Sequence, residues 1–237
     1  MRLRSLFTVS LACALPLTGV AAVGTATAQP RDVRTVLPDD CPTRTVPPVE
    51  HAELYYCKDP RLGLADLPNT EPVANLLRGY QRFGGLSAPH FVTLYAKADG
   101  DWQFAPDRGF QRLNGKVDET VWTVPVGTKL DRFGKRDGGY LSDAGTPFVQ
   151  RSMTPDAFNP QADGKIYHCL NALKEFKVQR GHTGAFFGMP GGGVQEWLDA
   201  TLKPEGFTGD YKIENLIHEK YLEEVSADQC VVTPTGF

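Results

Sequence analysis

The pattern of apolar and polar positions divides the chain into three stretches. Arg2 and Arg4 open it, Leu6 to Val23 is largely apolar, and Ala26-Thr27-Ala28 follows with small side chains. A basic start, an apolar middle and a small-residue exit predict a secretory signal over residues 1–28, cleaved after Ala28. The competing reading, an uncleaved anchor, is disfavoured by that small-residue exit. No later run is long or apolar enough to span a bilayer. Over residues 29–69 the apolar rhythm disappears. Pro30, Pro38, Pro42, Pro47, Pro48, Pro60 and Pro68 take its place, predicting an extended arm with little regular structure.

Beyond residue 70 two helix starts are legible. Thr70-Glu71-Pro72 precedes an apolar stripe at Val73, Leu76 and Leu77, and Ser87-Ala88-Pro89 precedes Phe91, Leu94 and Tyr95. The segment Gly79 to Leu86 between them, with paired glycines, predicts a turn. From Trp102 the pattern shortens to strands: Val117–Val126, Thr128–Phe133, Ile166–Leu173, Phe176–Gln179 and Val194–Leu198. Asn114-Gly115 and Arg136-Asp-Gly-Gly139 predict turns, the second closing a hairpin. Ile213, Leu216 and Ile217 predict a short helix, and Tyr221–Val225 a last strand before a loop-like tail, residues 226–237. The sum is an α+β fold: a strand-rich core of short, mainly antiparallel strands with N-terminal helices, stapled by disulfides. No βαβ alternation or internal repeat is present.

Charge and cysteine content narrow the class. The net charge of −3 becomes −5 once Arg2 and Arg4 leave, which argues against nucleic acid and anionic membranes as partners of the mature form. Of the 5 cysteines, Cys13 leaves with the signal. Cys41, Cys57, Cys169 and Cys230 remain, an even set in an exported chain, and they allow three pairings. Cys41–Cys57 with Cys169–Cys230 is favoured, because the first closes the arm on itself and the second ties the tail to the core. No Cys-x-x-Cys pair suggests zinc.

The candidate chemistry is of an unusual type. Gly-x-Ser-x-Gly, His-Glu-x-x-His and papain-like cysteine patterns are missing. Glu223 and Glu224, adjacent on one strand, point to opposite faces and cannot flank one bond. What stands out is Arg132-Phe133 on a short strand and Gln195 after Gly191-Gly-Gly193, with Tyr140, Arg151 and His168 between. Taken singly, each has a structural reading. Arg132 can pair with Asp131, Arg151 is an ordinary loop arginine, and His168 beside Cys169 is a satisfied strand histidine. Taken together, guanidinium forks, an amide and aromatics suit an anionic, flat substrate that is already activated.

Several strings occur in an informative order. They are Tyr80-Gln-Arg-Phe-Gly-Gly-Leu86, Trp102-Gln-Phe-Ala-Pro-Asp-Arg-Gly-Phe110, Pro125-Val-Gly-Thr-Lys-Leu-Asp-Arg-Phe-Gly134 and Tyr140-Leu-Ser-Asp-Ala-Gly-Thr-Pro-Phe148, then Arg151, Tyr167-His168, Phe187-Gly-Met-Pro-Gly-Gly-Gly-Val-Gln195 and Tyr221-Leu222. In this order they resemble the tuberculosis necrotizing toxin (TNT) family of NAD+ glycohydrolases, including its secreted fungal members, over residues 70–225. The resemblance implies catalytic roles for Arg132, Gln195 and His168 and substrate contacts from Phe133, Tyr140 and Arg151. Departures from the family pattern fall at Phe186, Met189, Glu196 and Leu170, and the resemblance places their effect in the nicotinamide-side pocket.

The implied reaction needs no cofactor, since NAD+ is the substrate. It also accounts for the missing carboxylate pair, because nicotinamide leaves a pyridinium as a neutral molecule without general-acid help. The resemblance further admits NADP+ as substrate, a structural calcium ion, a homodimer, and an inhibitor or immunity protein. With no long region before the domain, the expectation is a free-standing extracellular enzyme rather than the tip of a larger toxin. The rival readings are a secreted ADP-ribosyltransferase or cyclase, and a non-catalytic disulfide-rich surface binding module. A secreted ribonuclease ranks lower because the mature chain is acidic.

Overall fold

The computed structural model describes residues 40–42 and 49–230, all within the compact unit Val36–Phe237. The expected signal and the last residues of the tail lie outside the described residues. The described residues form nine strands and three α-helices. A small hairpin, β1 (Arg112–Leu113) and β2 (Lys116–Val117), stands apart from a seven-stranded sheet. The sheet strands are β3 (Thr120–Val124), β4 (Lys129–Phe133), β5 (Tyr140–Asp143), β6 (Tyr167–Ala172), β7 (Phe176–His182), β8 (Val194–Trp197) and β9 (Leu222–Val225). They lie in the order β3-β7-β8-β5-β4-β6-β9, every neighbouring pair antiparallel.

Period-two alternation sends side chains to two cores. Phe133, Tyr167 and Cys169 face one core, which the N-terminal elements cover. Leu130, Leu170, Ala172, Val178 and Leu222 face the other, against α3 (Ile213–His218), Phe207 and Tyr211. The first core is aromatic. Phe91, Phe133, Phe148 and Phe158 are all 0% exposed. Burial of each such ring contributes about 1.5–3 kcal/mol.

Helix α1 is short (Val73–Leu76). Helix α2 runs Ala88–Tyr95, with the Ser87 hydroxyl accepting from the His90 N–H and Pro89 in the first turn. Its buried stripe is Ala88, Phe91, Val92 and Tyr95, spaced i, i+3, i+4 and i+7. Leu94 falls off that stripe and is half exposed, a correction to the face expected from sequence.

The strand expected over Val117–Val126 is broken. Asn114-Gly115, both at positive φ, closes the β1–β2 hairpin, and the sheet strand starts only at Thr120. The strand expected to stop at Gln179 continues to His182 to pair with β8. The tail begins with a 3-10 turn, Ala227–Cys230, that carries Cys230 into the core.

Both disulfides have the favoured pairing, Cys41–Cys57 and Cys169–Cys230. The described part of the proline-rich arm forms 3-10 turns at Ala52–Leu54, Tyr56–Lys58 and Pro60–Leu62. It is tied down by more than its disulfide. Leu62 is fully buried, Arg82 donates to the Leu62 carbonyl at 2.8 Å, and Asn159 donates to that of Pro60 at 2.8 Å. No helix among the described residues is long and apolar enough to cross a membrane.

Candidate active site

A cleft of about 940 Å³ opens on the aromatic side of the sheet. That is the upper end of the roughly 300–1,000 Å³ usual for small-molecule sites. Its floor is the middle of the sheet: Asp131 on β4, Ser142 on β5 and Gln195 on β8, in register across three adjacent strands. Arg132, Phe133, Tyr140, Arg151 and Gln195 all line it. Asp131 and Gln195, 64 positions apart in sequence, therefore share one floor because β5 lies between β4 and β8.

Alternation points Arg132 away from Asp131 and Phe133, yet its guanidinium reaches the cleft from beneath the β4–β5 hairpin. Its Nε donates to the Lys135 carbonyl and its Nη1 to that of Tyr140 at 2.7 Å. Gly138 packs directly over it, and a Cβ there would collide with Nη2. Burial lowers the guanidinium to about 10, so it stays cationic at neutral pH. Two donors are thus spent on fixing the arginine, and Nη2 is left without a protein partner among the described residues.

Arg151 is held differently. Its Nη1 pairs with Asp131 Oδ1 at 2.6 Å, and its Nε and Nη2 donate to the Thr146 carbonyl at 3.0 and 2.6 Å. The other carboxylate oxygen of Asp131 accepts from the Gly145 N–H at 2.9 Å and the Tyr167 hydroxyl at 2.7 Å. The Arg151 guanidinium also covers the Phe133 ring, 5.1 Å from its centroid. The pair is almost wholly buried, so the charge of Arg151 is already answered from within the protein.

Phe133 is 0% exposed and packs on Phe148, Phe158 and Tyr167. The most exposed aromatic side chains lining the cleft are Tyr140, 38% exposed, and Phe104, 62% exposed. Phe104 stands edge-on to Phe187, which holds φ 49° at the tip of the Phe186–Met189 turn and is itself buried. Sequence reasoning missed Phe104, Arg108, Ser142 and Phe187. All four lie inside the strings quoted for the resemblance, but only tertiary packing brings them to one cleft.

Gln195 is 8% exposed, and its Nε2 donates to the Arg108 carbonyl at 3.0 Å. A carbonyl only accepts, so this bond fixes which end of the amide is nitrogen. The glycine turn before it is pinned, with the Gly192 N–H on the Thr183 carbonyl at 2.8 Å and that of Gly193 on the Gln150 carbonyl at 3.0 Å. Gly193 sits so close to Thr146 and Gln150 that a Cβ there would overlap them. Arg108 itself pairs with Glu119 at 2.6 Å and stacks on Trp197, 4.6 Å from the ring centroid.

His168 lies outside the cleft lining. It sits directly opposite Arg132 in the β4–β6 ladder, 1% exposed, with Nδ1 3.1 Å from Glu224 Oε1. Glu224 also holds Lys165 at 2.6 Å and Arg136 at 2.7 Å. Burial alone pushes the Glu224 carboxyl up, but its bonds to Lys165 and His168 leave it below its usual range. Glu223 pairs with Asn171 instead, as opposite faces require.

Two of the departures from the family pattern also point away from the cleft. Leu170 is in the second core. Glu196 is 0% exposed there, 2.5 Å from Arg180, which also holds Asp143 at 2.6 Å. Burial, reinforced by Asp143, raises the Glu196 carboxyl well above its usual range. Among the described residues no group of three or more His, Cys, Asp or Glu side chains could hold a metal ion.

A cationic fork, an amide, a hydroxyl and open aromatic faces stand around one large cleft, an arrangement that can take an anionic ligand with flat rings. Residues 123–225 match the family model described as Tuberculosis necrotizing toxin. The conidial surface nicotinamide adenine dinucleotide glycohydrolase nadA of Aspergillus fumigatus is 37% identical over 155 residues. That match covers 60% of this chain and 64% of the relative, so the chain spans just under two thirds of the curated relative's length. Among solved structures, tuberculosis necrotizing toxin in complex with its immunity factor overlaps 73% of this chain and 80% of its own, at TM-score 0.44 and 19% identity. Rhs1-CT in complex with its cognate immunity protein RhsI1 overlaps 49% of this chain and 84% of its own, at TM-score 0.29 and 12% identity.

Proposed function

We propose that the protein is a secreted NAD+ glycohydrolase, with residues 70–225 as its catalytic domain. The observation that supports it most is the convergence of Arg132, Tyr140 and Gln195 on one cleft, within the segment that matches the TNT family model. In this reading the Arg132 Nη2 edge grips the pyrophosphate, and Arg151 stands behind it as scaffold, holding Asp131 and Thr146 in place. Tyr140 and Phe104 offer the ring faces. Gln195 orients the ribose that carries nicotinamide, and His168 supports Arg132 from across the ladder rather than touching substrate.

The bond between ribose C1′ and the pyridinium nitrogen breaks, and its electron pair neutralises the ring. Water forms the new C1′–O bond and loses a proton to solvent. The products are nicotinamide, ADP-ribose and one proton. The residues bind and orient, which can supply several kcal/mol of the barrier. NADP+ is a second candidate substrate, and a proteinaceous inhibitor a candidate partner. The test is incubation of the pure protein with NAD+ and analysis of products. Equal nicotinamide and ADP-ribose support hydrolysis. Cyclic ADP-ribose or a labelled acceptor would replace it by cyclisation or transfer, and tight binding without turnover by a binding module.

A further inference from the structure

Ser142 sits at the centre of the sheet, directly across from Gln195 on one side and Asp131 on the other. It is 7% exposed and lines the cleft floor, yet its hydroxyl has no protein partner among the described residues. The neighbours that would ordinarily satisfy it are committed elsewhere. One Asp131 oxygen holds the Gly145 N–H and the Tyr167 hydroxyl, and the other holds Arg151. The Gln195 amide nitrogen is spent on the Arg108 carbonyl, which leaves Gln195 Oε1 as an acceptor with no protein donor among the described residues. The hydroxyl is not sealed from solvent but opens into the cleft, so its partner enters with the ligand or with water.

Residues directly opposite in an antiparallel pair hold their Cβ atoms roughly 4.5–5.5 Å apart. Ser142 Oγ–H and Gln195 Oε1 therefore form one donor and one acceptor side by side on the floor. We propose that this pair is a subsite for a vicinal diol, specifically the 2′,3′-hydroxyls of the ribose that carries nicotinamide. One hydroxyl accepts from Ser142 and the other donates to Gln195. The inference rests on the NAD+ glycohydrolase reading for which ribose occupies the subsite. Hydrogen bonds to such hydroxyls strengthen as the sugar gains oxocarbenium character, so part of the effect falls on kcat.

The experiment compares wild type with Ser142→Ala, after confirming that the two melt at the same temperature. With NAD+ the variant is expected to lose about 3- to 10-fold in kcat/KM, the worth of one uncharged hydrogen bond. With NAD+ lacking one of the two hydroxyls on the nicotinamide-side ribose, that loss is expected to vanish for one of the two deoxy isomers. Equal loss on all three substrates, or no loss with NAD+, overturns the proposal. A binding arm separates this from the parent reading. ADP-ribose, which keeps the diol, should bind Ser142→Ala about 3- to 10-fold more weakly, while ADP binds both proteins alike. If wild type does not turn over NAD+, the parent reading fails and this arm still decides the subsite. Equal weakening for ADP and ADP-ribose, or none for either, overturns it.

Discussion

Replacing Asp131 by asparagine should unfold this protein far more readily than its position beneath a surface cleft suggests. Asp131 is 0% exposed, and its partner Arg151 has a 3% exposed side chain. Removing one charge leaves the other buried and unpaired, which costs about 3–5 kcal/mol. The amide can still accept from the Gly145 N–H or the Tyr167 hydroxyl, so those bonds add little to the loss. Against the roughly 5–15 kcal/mol that a domain possesses in total, this is about a fifth or more. In urea, with a slope of about 2 kcal/mol per molar, the midpoint should fall by about 1.5–2.5 M at unchanged slope. The assay is equilibrium unfolding of wild type, Asp131→Asn and the apolar pair Asp131→Leu with Arg151→Met, all with disulfides intact. The double variant should recover part of the loss, because neither buried charge remains, while the Gly145 N–H and the Tyr167 hydroxyl lose their acceptor. An Asp131→Asn midpoint indistinguishable from wild type would refute the reasoning and return Arg151 to the ligand.

Three further outcomes follow from the same geometry. Arg132→Lys keeps the charge but loses the fork and its carbonyl bonds; steady-state kinetics should show kcat/KM for NAD+ lower by about 10- to 100-fold, in line with roughly 1.5–3 kcal/mol for hydrogen bonds to charged groups. Phe104→Ala should leave the urea midpoint within error while raising KM for NAD+ about 5- to 100-fold, since a stacked base is worth about 1–3 kcal/mol. Glu196→Gln should change stability with pH. The unfolded side chain ionises near its ordinary 4.5, whereas burial lets the folded one keep its proton to higher pH. The folded state then binds more protons in that window, so wild-type stability falls as pH rises above 4.5. Urea midpoints of the variant should therefore exceed those of wild type at neutral pH, and the gap should close toward pH 4.5.

Much of the sheet was legible because its strands alternate cleanly. Lys129-Leu-Asp-Arg-Phe133 sends Leu130 to one core and Phe133 to the other, and the glycines of residues 136–139 close the next hairpin. Asn114-Gly115 marked the turn of the β1–β2 hairpin, but its strands are two residues each and too short to show alternation, and Val117 merged with the next strand. Strand order was not legible, since β5 entering between β4 and β8 is a long-range choice with no local signature. The site divides the same way. Arg132, Tyr140 and Gln195 stood out by residue type and order. Phe133 and Arg151 stood out equally, yet one is sealed in an aromatic core and the other answered by Asp131. Sequence shows a charge but not its partner. Ser142 and Phe104 looked ordinary because their meaning lies in what the fold leaves beside them.

The most direct test of the central claim is a proton NMR time course of NAD+ with the purified protein. The account predicts disappearance of NAD+ with nicotinamide and ADP-ribose appearing one for one, lost or sharply slowed in Gln195→Ala. Intact NAD+, or a Gln195→Ala variant that turns over like wild type, would contradict it.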